Sequence, residues 1–309
     1  MSHDHHAHAH SHGHSLAASD YGRAFAIGIG LNLAYVAAEA GYGLAAGSLA
    51  LLADAGHNLG DVLGLGLSWG AAVLGRRGPS DRFTYGLRSS SILAALANAL
   101  ILLVVTGGIA WEAIRRLGHP VAVTGGTVAA VAAIGIVVNG ATALLFARGR
   151  GGDLNLRSAF LHMAADAVVT AGVVIAGVAI ALTGLLWLDP AMSLVVSAVI
   201  IYGTWDLVRQ ALSLALDAVP EGVDSGAVRA HLMAVPGVTA LHDLHIWGMS
   251  TTETALTCHL VMPQGHPGDE ALSVIARELD ERFHIHHTTL QIELGDSEEV
   301  CALTPEHVV

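Results

Sequence analysis

Six apolar stretches dominate the chain up to Leu216: Ala24–Ala46, Leu49–Leu74, Ile92–Ile114, Val121–Ala147, Ala159–Leu182 and Ala191–Leu216. A helix of about 20 residues crosses the hydrocarbon core of a bilayer, and each stretch is long enough to do so. Glycines recur inside them, among them Gly28, Gly30, Gly41, Gly43, Gly64, Gly66, Gly172 and Gly177. In a soluble helix each would cost about 1 kcal/mol, whereas in a membrane small residues let helices approach closely. The Asp189–Pro190 step predicts a helix start, with Asp189 as N-cap and Pro190 as the first helical residue.

From about Asp217 the pattern changes to that of a water-soluble domain. Apolar spacing predicts a helix over Ser225–Val235, strands over Val238–Trp247 and Thr252–Met262, a helix over Asp269–Phe283 and a strand over Thr288–Leu294. This αββαβ order predicts a small α+β domain with its helices on one face of a three-stranded sheet. The chain thus divides into a His-rich tail (1–20), a six-helix transmembrane domain (21–216), a cytoplasmic α+β domain (217–294) and an acidic, frayed C-terminal tail (295–309).

Composition agrees with this division. The chain is 53% hydrophobic and 13% charged, against about 25% charged in soluble domains. The formal net charge is −12, and no basic stripe is present, so nucleic acid is not an expected partner. Two cysteines, Cys258 and Cys301, are too few for a disulfide framework. No cleavable signal peptide is expected, because the first twenty residues have no apolar core. Arg76, Arg77, Arg82 and Arg88 follow the second stretch, and Arg148, Arg150 and Arg157 follow the fourth; only Arg115 and Arg116 follow the third. Positive loops stay in the cytoplasm, which predicts a multi-pass inner-membrane protein with both termini cytoplasmic.

The candidate chemistry is metal binding. Asp54, His57 and Asp61 follow one another at i, i+3 and i+7, on one face of the second helix. His162 and Asp166 stand four apart on the fifth. Ionisable groups at bilayer depth need a partner or an ion. Interhelical hydrogen bonds would explain one such pair, but two His/Asp pairs in separate spans form an N2O2 set suited to tetrahedral zinc. Asp54 is expected either to guide ions at the mouth of this site or to cap the helix start. Asn32, Glu39, Asn98, Glu112 and Asn139 are further polar residues at membrane depth, most of them expected to hydrogen-bond between helices or to support the ligands rather than to bind metal, with Glu112, near a span end, able to reach the interface instead. His3, His5, His6, His8, His10, His12 and His14 form a metal-capturing tail; the interspersed Asp, Ala, Ser and Gly argue against a purification tag. In the C-terminal domain His242, His245, His259, His286 and Glu293 are candidate ligands of a second, cytoplasmic site. His242 and His245 are three apart, so in a regular strand they face opposite ways and share an ion only across a bulge.

The segments SLALLADAGHNLGD, RFTYG, HMAAD, LDP, HDLHIW and TTLQIE together resemble those of the cation diffusion facilitator family, above all its bacterial zinc/cobalt/cadmium-efflux members. The resemblance covers almost the whole chain. It implies proton-coupled export of zinc through His57, Asp61, His162 and Asp166, with cadmium and cobalt as further candidate substrates. It also implies a metallochaperone-like cytoplasmic domain that dimerises and binds regulatory zinc. Some relatives carry Asp where His57 stands and accept more metals, so His57 favours zinc. Two other readings are a membrane-bound zinc metalloenzyme and a non-transporting metal sensor. The first would need an open coordination position and a general base, such as His-Glu-x-x-His supplies, and no such motif occurs. The second would not need the membrane quartet.

Overall fold

The computed structural model describes residues 17–75, 77–147, 154–295, 301 and 303; the side chains of 17–29, 65, 68, 69, 72, 142–147 and 154–163 fall outside that description. The seven histidines of the N-terminal tail, His3 to His14, therefore lie outside the described residues, as does the side chain of His162.

Six long helices come first: α1 (Ala17–Ala46), α2 (Leu49–Gly75), α3 (Ser90–Gly118), α4 (Gly125–Ala147), α5 (Leu154–Thr183) and α6 (Leu188–Ala215). Then follow α7 (Ser225–Met233), β1 (Ala240–Gly248), β2 (Thr254–Val261), α8 (Asp269–Phe283) and β3 (His287–Glu293). Among the described residues α3, the Ala164–Thr183 part of α5, and α6 are long and apolar enough to cross a membrane. The chain forms two compact units. One takes the residues up to Val62 with Val105–Ile200; the other takes Leu63–Val104 with Ile201 onward.

In the first unit α4 and α5 pack through glycine. A Cβ on Gly125 would stand 2.5 Å from the Gly177 carbonyl oxygen, and one on Gly177 would stand 2.7 Å from the Ala129 nitrogen. Small residues are required on both helices because their backbones touch. The α1–α2 turn is made by Gly47, whose φ of 69° lies in the left-handed region. Arg116 Nη1 donates to the Gly47 carbonyl at 2.7 Å.

The start of α2 corrects one expectation. Asp189 does not serve α6, which opens at Leu188. Its carboxylate instead accepts from the Leu49 backbone N–H at 2.8 Å, from that of Ala50 at 3.4 Å and from the Ser48 hydroxyl. Ser48 Oγ in turn accepts from Leu51 N–H at 3.2 Å. The first turn of α2 has orphan N–H donors in an apolar setting, and Asp189, 1% exposed, has no water to turn to. The two needs satisfy each other.

In the second unit the sheet order is β1-β2-β3, with β1 antiparallel and β3 parallel to β2. Leu256, Cys258 and Leu260 of β2 join Val228 and Leu232 of α7 and Ile275 and Leu279 of α8 in one core. The alternation of a strand then sends Thr257 and His259 to the opposite face, away from that core. The β1–β2 hairpin is tied to the start of α3. Ser89 Oγ donates to the Met249 carbonyl at 3.2 Å, Thr251 N–H donates to Ser91 Oγ at 3.1 Å, and Arg88 Nη1 lies 2.7 Å from Glu253 Oε1.

Candidate metal centres

The first centre lies on α2 and α5. His57 and Asp61 are one turn apart on α2, so both side chains leave the same face. His57 Nε2 is 3.0 Å from Asp166 Oδ1 and 3.9 Å from Asp61 Oδ2. One ligand atom from each of the three lies within 4.8 Å of the others. Asp166 is 5% exposed, so its charge is withdrawn from solvent and must be answered locally. One imidazole nitrogen and two carboxylate oxygens at this spacing are a borderline-soft donor set of the kind zinc takes. His162 belongs to α5, one turn before Asp166.

Asp54 does not cap α2, because Ser48 and Asp189 do so. It is 1% exposed and accepts from Thr170 Oγ1 at 3.0 Å. Thr170 stands one turn beyond Asp166 on α5, so Asp54 and Thr170 join α2 to α5 beside the centre. Glu39, fully buried on α1, accepts from Tyr35 Oη at 2.7 Å and from Asn58 Nδ2 at 3.3 Å. Asn58 follows His57 in sequence, so this bond steadies the helix that carries His57. Glu112 is occupied by Arg115 and Arg116, its own neighbours on α3.

The second centre is on the open face of the sheet. A β-bulge falls between His242 and His245, and Asp243 within it has φ of 52°. The extra residue reverses the alternation, so the regular-strand expectation fails: His242 opposes His259 and His245 opposes Thr257, all on one face. His242 Nε2 lies 3.3 Å from His259 Nδ1, and Glu293 reaches both, with Oε1 2.9 Å from His259 Nδ1 and Oε2 3.4 Å from His242 Nε2. Burial alone would raise the Glu293 pKa, but hydrogen bonds from Gln291 and Cys301 and the charge of His242 and His259 outweigh it and hold the carboxyl below its ordinary value.

Two of the five cytoplasmic candidates are not in this cluster. His245 Nε2 lies 2.8 Å from Asp243 Oδ1, while Asp243 Oδ2 lies 3.5 Å from His259 Nε2. His245 is therefore one residue removed, acting on the cluster only through Asp243. His286 immediately precedes β3, at the end of the strand away from Glu293. Its Nδ1 accepts from Thr254 N–H at 3.2 Å, while the parallel register sets Gln291 against His259. The residue that sequence reasoning missed is Cys301. It lies in the expected frayed tail, yet its Sγ returns to 3.7 Å from His259 Nδ1. No periodic signal marks it; only its being one of two cysteines in a His-rich chain does.

Two family models match the chain: the cation efflux transmembrane domain over residues 25–214, and the cytoplasmic domain of cation efflux proteins over residues 220–294. Similar curated proteins include the metal cation efflux system protein CzcD of Cupriavidus metallidurans, 32% identical over 91% of this chain and 89% of that protein. The zinc transporter ZitB of Escherichia coli is 33% identical over 88% and 87%. The cadmium, cobalt and zinc/H(+)-K(+) antiporter of Bacillus subtilis is 31% identical over 84% and 85%.

Proposed function

Since the chain belongs to the cation diffusion facilitator family, and so serves divalent metal cation efflux across a membrane, we propose that it is a zinc-preferring exporter that exchanges cytoplasmic metal for protons. The observation that carries this reading is the convergence of His57, Asp61 and Asp166 on one point, with ligand atoms within 4.8 Å of one another, on two helices of an apolar bundle. His162 completes the set as the fourth ligand. Zinc is the substrate here, bound in passing.

Coupling follows from ligand chemistry. Zinc requires a neutral imidazole and ionised carboxylates, so metal and protons compete for the same atoms. A site opened alternately to each side loads zinc where zinc is held and protons where they are plentiful. Rocking of helices about a fixed midplane site would supply the two access states. The Asp54–Thr170 and Glu39–Asn58 bonds hold the ligand-bearing faces of α2 and α5 without spending the ligands themselves.

In this reading all six long helices span the inner membrane, with both termini in the cytoplasm and the domain boundaries given above. The His-rich tail captures metal. The cytoplasmic domain dimerises and binds regulatory metal at His242, His259 and Glu293. The names of the relatives, which cover zinc, cadmium and cobalt, support this range of ions.

The test is metal flux in proteoliposomes under an imposed pH gradient. Zinc should move against the proton gradient, and collapsing the gradient should stop net accumulation. Asp166→Asn should abolish flux while the purified protein keeps its melting temperature. Normal flux in that variant, or flux indifferent to the gradient, would overturn the assignment.

A further inference from the structure

Four groups converge on the open face of the sheet: His242, His259 and Glu293, and in addition the thiol of Cys301. All four offer a ligand atom within 4.8 Å of the other three. With bonds of about 2.0–2.3 Å, the edges of a zinc tetrahedron are about 3.3–3.7 Å. The observed separations are 3.3 Å for His259 to His242, 3.4 Å for His242 to Glu293 and 3.7 Å for Cys301 to His259. Glu293 Oε1 to His259 Nδ1, at 2.9 Å, is tighter than such an edge, and a small rotation of the carboxylate opens it.

The surroundings suit a metal as well. His259 turns Nδ1 to the cluster and Nε2 to Asp243, 3.5 Å away. A carboxylate behind a ligating imidazole sets its tautomer and raises its basicity. The other cysteine cannot substitute. Cys258 neighbours His259 in β2 but points to the opposite face, where it is 1% exposed in the apolar core.

We propose that Cys301 is the fourth ligand of the cytoplasmic metal site, completing a His2GluCys tetrahedron with His242, His259 and Glu293. This rests on the reading of His242, His259 and Glu293 as a metal site. Binding turns the thiol into a thiolate, its proton passing to solvent. A thiolate donor favours zinc and cadmium over manganese.

Cobalt(II) tests this on the full chain, purified in detergent. Thiolate ligation gives a near-ultraviolet sulfur-to-cobalt charge-transfer band. The chain has two cysteines, and neither the transport site nor the His-rich tail contains one. The expected result is a band in the wild type and in Cys258→Ser but not in Cys301→Ser. Bound cobalt, counted by equilibrium dialysis, should fall by one per chain in His242→Ala. Cys301→Ser should also weaken cadmium binding at this site by about tenfold or more, with manganese little changed. If His242→Ala loses a cobalt but the wild type shows no band, the metal site stands and Cys301 is not its ligand. If His242→Ala loses no cobalt, the site itself fails and the proposal fails with it.

Discussion

Asp189, in the first turn of α6, accepts the hydroxyl hydrogen bond of Ser48, the residue just before α2, so a residue 141 positions away completes the cap of the helix that carries His57 and Asp61. The same carboxylate takes the backbone N–H groups of Leu49 and Ala50. Asp189→Ala would leave a hydroxyl and two helix donors unanswered where they are buried. A lost cap costs about 1 kcal/mol and each orphaned buried donor about 1–3 kcal/mol. Thermal melting of the purified protein should fall by several degrees, and zinc flux should fall with it. An unchanged melting temperature would show that the cap is dispensable.

Gly125 faces backbone atoms of α5 at distances no side chain tolerates. Gly125→Val should separate α4 from α5 or prevent their docking, whereas Gly126→Val, which meets open space, should be mild. Overpacking typically costs about 1–3 kcal/mol, and here backbone rather than a flexible side chain stands in the way. Detergent melting and size-exclusion profiles of the two variants give the comparison; equal behaviour would contradict the close approach.

His57→Asp should broaden ion choice. Its imidazole, 3.0 Å from Asp166, is replaced by a shorter, harder and negatively charged group. Oxygen donors relax the preference for small tetrahedral zinc, so cadmium and manganese should gain relative to zinc. Flux of the three ions through the purified variant in proteoliposomes measures this. A surviving transporter with an unchanged zinc-to-cadmium ratio would remove His57 from the selectivity set.

Burial, reinforced by the negative charge of Asp243 and only partly offset by Arg229, pushes the Cys258 thiol from 9.0 up to about 12. The folded domain thus keeps a proton that the unfolded chain releases near pH 9.0. The stability this contributes is complete below pH 9.0 and is lost as the pH climbs toward 12. Iodoacetamide at pH 8.5 should accordingly modify Cys301 well before Cys258, because the thiolate is the reactive form. Equal rates at the two positions, measured by peptide mass mapping, would show that the core around Cys258 opens freely.

The sequence by itself determined whatever repeats along a single element. Helical period put His57 and Asp61 on one face of α2. It also set α8 at Asp269–Phe283, the same bounds the structure has. Apolar length marked the long helices, and strand alternation separated the core side of β2 from the side that carries His259. These features depend on neighbours within one turn or one pleat, so the spacing of residue types is enough to express them.

The tertiary structure decided what depends on groups far apart in the chain. Asp189 answers α2 rather than α6, because unpaired donors there are buried beside it. A left-handed Asp243 turns His242 and His245 to one face, and the parallel pairing of β2 and β3 carries His286 away from it. Cys301 returns across the sheet to His259. None of these partnerships has a period. Each arises where a hydrogen bond or a strand register forms between distant segments, and that is settled only when the segments meet.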